Sequence, residues 1–192
     1  NHIVYYALRF DRPVKEFLMD SIDARYCQAI FEVDPGTVVQ AQVAISPVSE
    51  AGALANLQVE QYRKDFAAIR SEAKDRWNNE LGRIRAKFDS PRDSTIFYTS
   101  LYHVLFAPQI WSDVTGDYMG ANGMIQRSPD FQNYTTWSLW DTYRALHPLA
   151  TLMMQDKLSD WAKTMMAICK EHGELPMWHL HSTDTYCMVG EP

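Results

Sequence analysis

Long apolar runs are missing from this chain of 192 residues. Nothing approaches the roughly 18 consecutive apolar residues that cross a bilayer, so no membrane insertion is expected. Cysteine is scarce. Cys27, Cys169 and Cys187 have no metal-ligand spacing and form no even disulfide framework, which points to buried free thiols and leaves one disulfide open. Positive charge is in the minority, with 18 Lys and Arg against 24 Asp and Glu for a net charge of −6. Phosphate recognition needs a basic face, so nucleic acid is set aside as a partner. Nucleophile elbows, phosphate loops and dinucleotide fingerprints are also lacking, and no acid–base pair can be named.

What is present suits a packed, aromatic-rich domain. Hydrophobic residues make up 46% and aromatics 12% of the chain, ample for a core and against disorder. The charges separate along the sequence: residues 50–93 mix both signs, whereas 94–192 are acidic and rich in aromatics. The chain opens directly in a strand-like run and stops just past a site-like segment, so it reads as an excerpt of a longer polypeptide, with any targeting signal outside it.

Residues 1–46 read as β. Segments 3–10 and 24–33 are β-branched and aromatic, separated by Asp-Arg-Pro and charged turn material. Segment 37–45 alternates, which predicts Val39, Ala41, Val43 and Ile45 on a packed face and Gln40 and Gln42 on a wet one. Asp34-Pro35-Gly36 marks the turn before it. At Ser49, a good N-cap, the period changes to that of a helix. Leu54, Leu57, Tyr62, Phe66, Ile69, Ala73, Trp77 and Leu81 form one stripe, which predicts a single amphipathic helix of about 30 residues. Its aromatic spacing keeps no heptad, so a linker packed on a neighbouring domain is the better reading than a coiled coil. Further helices are expected over 95–106, capped by Ser94, over 138–154, and over 156–172, stopped by Gly173. Between the first two, residues 109–133 read as a long irregular loop.

Chemistry concentrates in two stretches. Residues 137–144 (Trp-Ser-Leu-Trp-Asp-Thr-Tyr-Arg) gather aromatic rings, a carboxylate and a guanidinium in eight residues. A ring offers an apolar platform and a carboxylate accepts paired hydroxyls, a mixture suited to a sugar. On one continuous helix Trp137, Trp140 and Arg144 would share a face, with Asp141 beside Trp140. The competing reading makes the tryptophans core and Asp141–Arg144 a surface ion pair. In the second stretch His179, His181 and Asp184 offer either transition-metal ligands or a polar rim around Trp178. Residues 113–117 hint at an oxygen-rich calcium loop, but the ligand count is short and a plain turn is the better reading.

Ser138-Leu139-Trp140-Asp141-Thr142-Tyr143-Arg144-Ala145-Leu146-His147-Pro148, then Gly173-Glu174-Leu175-Pro176-Met177-Trp178 and Thr185-Tyr186-Cys187-Met188-Val189-Gly190, resemble glycoside hydrolase family 92. Val43-Ala44-Ile45-Ser46-Pro47-Val48-Ser49, Ala55-Asn56-Leu57-Gln58-Val59-Glu60 and Phe97-Tyr98-Thr99-Ser100-Leu101-Tyr102-His103 extend the resemblance in order. These are exo-acting, inverting, calcium-dependent α-mannosidases, mostly of bacteria. The resemblance implies an α+β fold, mainly α: the last strands of an antiparallel β-sandwich over 1–46, a helical linker over 47–93, and the first helices of an (α/α)6 barrel over 94–192.

It further implies a mannose-containing glycan as partner, the remainder of the same polypeptide, and a periplasmic or secreted location. Asp141, Trp140, Arg144, Trp178 and Asp184 would contact substrate, while the catalytic acid, the base and the main calcium ligands would lie downstream. The isolated piece is therefore expected to be inactive. Many members carry Gly-Asn-Glu-Thr where this chain has His181-Ser182-Thr183-Asp184-Thr185, and the shorter carboxylate of Asp184 bears on linkage preference. A noncatalytic carbohydrate-binding protein on the same scaffold is the alternative.

Overall fold

The computed structural model describes residues 3–19, 26–61 and 64–187. Tyr62, Met188, Val189, Gly190 and the first two residues of the segment 24–33 lie outside them. Two antiparallel hairpin-like pairs come first. Strand β1 (Tyr5–Phe10) pairs with β4 (Ala41–Ser46), and β2 (Glu16–Met19) pairs with β3 (Cys27–Ile30). The predicted turn before β4 is present: Thr37 N–H donates to the Asp34 carbonyl at 3.1 Å and Gly36 takes a positive φ of 87°. Strand β2 falls in material expected to be turn.

Helix α1 (Glu50–Gln61) starts at Ser49, whose Oγ accepts from Gly52 N–H at 3.0 Å, and lies across β1 and β4. The strand alternation is real but its covered face is the opposite of the expected one. Ala44 and Ser46 are buried beneath α1, while Val43 and Ile45, paired with Leu8 and Tyr6, are exposed. Small side chains on the helix-facing side let Ala53 and Leu57 of α1 approach closely.

The predicted 30-residue helix is two. After α1 the chain restarts at α2 (Phe66–Leu81), whose N-cap Asp65 accepts from Ala68 N–H at 2.8 Å. That carboxylate competes with continuation of the helix by satisfying orphan N–H groups of a new one. The stripe holds only in part: Leu57 is buried, whereas Leu54 and Phe66 are exposed. Helix α3 (Pro91–Val104) begins one turn before the expected Ser94, because Ser90 accepts from Asp93 N–H and Pro91 occupies the first turn.

The supposed irregular loop is ordered. It contains β5 (Gln109–Ile110) and the hairpin β6 (Asp117–Met119) and β7 (Ile125–Arg127), and just past it lie β8 (Tyr134–Thr135), which pairs with β5, and β9 (Trp137–Ser138). Residues 113–116 make the plain turn, Gly116 N–H donating to the Asp113 carbonyl at 2.8 Å. A short α4 (Leu139–Thr142) and α5 (Leu146–Met153) replace the single helix expected over 138–154. Pro148 explains the break: in a continuous helix its ring would clash with the carbonyl of Arg144, whereas the first turn of α5 tolerates it. Helix α6 (Gln155–His172) ends as predicted on left-handed Gly173 (φ 97°). The chain closes with β10 (Trp178–Leu180) and β11 (Thr183–Asp184).

The helical core gathers Leu101, Tyr134, Trp137, Trp161 and Ile168, with Trp137 and Trp161 edge to face at 5.8 Å. A separate buried polar cluster joins it to the sheet. Asp113 accepts from Ser46 Oγ at 2.7 Å and from Asn56 Nδ2 at 2.8 Å, while Asn56 Oδ1 accepts from Val114 N–H at 2.8 Å. A Cβ at Gly52 would overlap Asp113 Oδ2 and lie 2.7 Å from Ser46 Oγ. Gly52→Ala is therefore expected to lower unfolding stability by about 2–3 kcal/mol through overpacking and a displaced buried carboxylate. A urea denaturation midpoint equal to that of the unsubstituted chain would refute this account of Gly52.

Candidate functional site

Strand pairing brings the two chemistry-bearing stretches together. β10 pairs with β9 on one side and β11 on the other, with Trp178 opposite Ser138, His179 opposite both Trp137 and Asp184, and Leu180 opposite Thr183. Directly opposed residues share a face of the sheet. The inward face carries Trp137 (1% exposed), His179 (3%) and Asp184 (8%). The outward face carries Ser138 and Trp178, both half-buried, at the foot of α4 with its exposed Trp140 and Asp141.

Trp137 thus belongs to the core. Its indole Nε1–H donates to the Tyr134 carbonyl at 3.1 Å, and the His147 ring stacks near it with centroids 6.4 Å apart. Trp137, Trp140 and Arg144 do not share a helix face, since Trp137 lies in a strand and α4 ends at Thr142. Asp141 accepts a hydrogen bond from Ser138 Oγ, the residue opposite Trp178. Ser138 thereby stands between the two, paired in register with Trp178 and bonded through its hydroxyl to Asp141. Arg144 donates to the Tyr143 hydroxyl at 3.0 Å, its guanidinium 5.6 Å from that ring's centre. No Asp141–Arg144 ion pair forms among the described residues.

Asp184 is placed differently from Asp141. Its Oδ2 accepts from Met177 N–H at 2.7 Å and Trp178 N–H at 3.2 Å, and its Oδ1 accepts from Tyr186 N–H at 2.9 Å. The carbonyl of Trp178 accepts from Thr185 N–H at 3.0 Å and Thr185 Oγ1 at 2.9 Å. Both ends of the Trp178 peptide are held from the β11 side. His181 stacks on Trp111, centroids 4.8 Å apart. Nothing in the sequence marked Trp111, because Ser182, which accepts from its indole N–H, is 71 residues away.

The resemblance places the main calcium ligands downstream of this chain. No group of three or more His, Cys, Asp or Glu side chains among the described residues is placed to hold a metal ion. In the acidic loop, Asp113 accepts from Ser46 and Asn56.

The glycosyl hydrolase family 92 catalytic domain matches residues 52–192, and the chain belongs to that family. A family GH92 α-mannosidase of Bacteroides thetaiotaomicron superposes with a TM-score of 0.87 at 32% identity, over 97% of this chain and 28% of that one. The same mannosidase in complex with mannoimidazole gives 0.86 at 32% identity, over 97% and 27%. An inverting family GH92 mannosidase of that organism gives 0.86 at 26% identity, over 98% and 27%. A secreted glycosidase of uncharacterised activity from Arthroderma benhamiae is 30% identical over 113 residues, 56% of this chain and 14% of that protein. The chain spans less than a third of the length of these relatives. Its fold is accordingly that of the matching part of a family 92 mannosidase, α+β and mainly α, with a sandwich edge, linker helices and the first barrel helices. No helix among the described residues is long and apolar enough to cross a membrane.

Burial depresses the pKa of His147 beside Trp137. A folded-state pKa below the ordinary histidine value means that stability from this site is fully present above about pH 6.5 and is lost as pH falls through the depressed value. Replacing His147 by Phe should remove that acid loss, so the difference in Tm between variant and parent shifts in the variant's favour from pH 7.5 to pH 5. A difference independent of pH would contradict the buried, neutral His147.

Proposed function

We propose that this chain is part of an exo-acting, inverting α-mannosidase that removes terminal mannose from glycans, and that residues 137–144 and 177–186 form one wall of its mannose subsite. The observation that carries the reading is the pairing of Trp178 with Ser138, whose hydroxyl bonds Asp141 on the same outward face. Family membership supports glycoside hydrolysis, and the similar Bacteroides proteins described as α-mannosidases, one bound to mannoimidazole, support mannose as the sugar.

In this reading the exposed Asp141 carboxylate accepts sugar hydroxyls, Trp178 and Trp140 offer ring faces to the apolar side of the pyranose, and Arg144 donates from the rim. Asp184 acts through Trp178, since its oxygens are engaged by backbone N–H groups. Inversion needs an acid on the leaving oxygen and a base activating water from the opposite face, carboxyls roughly 6.5–9.5 Å apart. We assign that pair, and any calcium ligands, to segments outside these residues. The same reading takes 1–46 as sandwich, 47–93 as linker and 94–192 as barrel. It also makes the isolated chain inactive and gives the protein a periplasmic or secreted location, in line with the secreted fungal relative.

Asp141→Ala in the full-length protein is expected to lower kcat/KM for α-mannosides about 10- to 100-fold, the scale for losing a charged hydrogen-bond acceptor in a site. The circular-dichroism spectrum and Tm should stay near the parent's, because Asp141 is exposed. Turnover near the parent's would remove Asp141 from the subsite. Mannose bound by the full-length protein without turnover would favour the noncatalytic carbohydrate-binding alternative.

A further inference from the structure

Beyond the residues that face the proposed sugar, a strained turn controls the strand that carries Trp178. His181 and Ser182 join β10 to β11 with φ of 47° and 70°. Two successive positive φ values define the tight hairpin geometry that Asn-Gly adopts readily and that larger L-residues adopt only at a cost. Such strain persists where the surroundings over-determine it.

Here they do so from three sides. Trp111 Nε1–H donates to Ser182 Oγ at 2.7 Å, and Ser182 Oγ donates to the Met119 carbonyl at 2.5 Å. His181 N–H donates to Thr135 Oγ1 at 2.7 Å. The Trp111 ring also stacks on the His181 ring at an interplanar angle of 25°. Trp111 and Ser182 are both buried, so this lock sits in an environment where an unmade hydrogen bond is costly.

The turn is short, and its register passes directly to the site. From Leu180 opposite Thr183 the ladder runs to His179 opposite Asp184, and the Asp184 carboxylate then holds Met177 and Trp178 by their N–H groups. Freeing the turn removes the anchor at the far end of that ladder.

We propose that Trp111 and Ser182 are positioning residues that, by holding the His181–Ser182 turn in its strained form, fix the Trp178 ring against a bound mannose. The inference rests on the mannoside reading of the site. Trp111 and Ser182 touch no substrate in it. Their effect falls on sugar binding more than on bond cleavage, because Trp178 supplies a platform and not the reacting carboxyls.

The test uses the full-length protein, 4-nitrophenyl α-mannoside as substrate, and amide hydrogen exchange over residues 178–180. Trp111→Phe keeps a ring but removes the donor, and Ser182→Ala removes the acceptor. Each should raise KM about tenfold, with kcat within about threefold of the parent, as loss of one buried hydrogen bond would give. The double variant should cost less than the product of the two, since both remove one interaction. Exchange at 178–180 should quicken in each. Replacing His181-Ser182 by Asn-Gly in the Trp111→Phe background should bring KM and exchange back toward the parent, because that turn needs no lock. A lowered Tm with unchanged KM would make the lock merely structural and overturn the proposal, as would unchanged exchange at 178–180. No turnover and no mannoside binding by the parent protein would instead defeat the mannoside reading, and with it the link from lock to sugar, while exchange would still report on the lock itself.

Discussion

A buried carboxylate with two donors, from a sheet edge and a helix, sets the arrangement of this chain. Asp113 lies in the turn before β6, yet its oxygens are satisfied by Ser46 at the end of β4 and Asn56 in the middle of α1. A buried charge without such partners costs several kcal/mol, so the arrangement is stable only when sheet edge, helix and turn arrive together. Gly52 makes this possible by leaving no Cβ where the carboxylate enters α1. Asn56 adds to the constraint, because its amide N–H also donates to the Ile45 carbonyl at 2.9 Å while its oxygen accepts from Val114 N–H. One amide thereby reads the backbone of both neighbours at once.

With that turn fixed, α6 governs the rest. Thr164 Oγ1 accepts from Tyr134 N–H at 3.2 Å, and two turns later Glu171 accepts from the Tyr118 hydroxyl at 2.6 Å and Ala121 N–H at 2.8 Å. Residues seven apart lie on one side of a helix, so α6 serves as a rail for β8 and for the β6–β7 hairpin. Burial and the Glu171 partner push the Tyr118 hydroxyl well above its ordinary pKa, which keeps it a donor at any physiological pH. Arg83 closes the opposite end, donating to the Met153 carbonyl at 2.6 Å and to Asp156 at 2.7 Å where α5 turns into α6.

What the sequence makes legible follows from the range of each interaction. Caps and stops are local, so Ser49, the Asp34-Pro35-Gly36 turn and Gly173 could be read directly. Asp65 and Pro148 were equally local signals, and each interrupts a helix that apolar spacing alone extends through it. Periodicity identified β4 but not which side would be covered. That depends on α1 preferring the small Ala44 and Ser46 to the larger Val43 and Ile45, a choice made by close approach rather than hydrophobicity. The two site stretches were visible as compositions. Their adjacency through β9 and β10 was not, because a pairing between residues 40 apart leaves no local trace.

The division of labour within the site follows from where each carboxylate sits. The two Asp residues of these stretches look interchangeable in sequence, yet Asp184 is buried against three backbone N–H groups and Asp141 is exposed with a single serine hydroxyl. A carboxylate offers about four acceptor directions. Backbone donors occupy most of those on Asp184 and leave most of those on Asp141 open. In the proposed subsite hydroxyl recognition would therefore fall to Asp141, whereas the Asp184 carboxylate holds the backbone that carries Trp178. The shorter side chain suits that task, since a carboxylate reaching back to the start of its own hairpin must stay close to the backbone. A glutamate in its place would carry the charge one methylene further from those N–H groups.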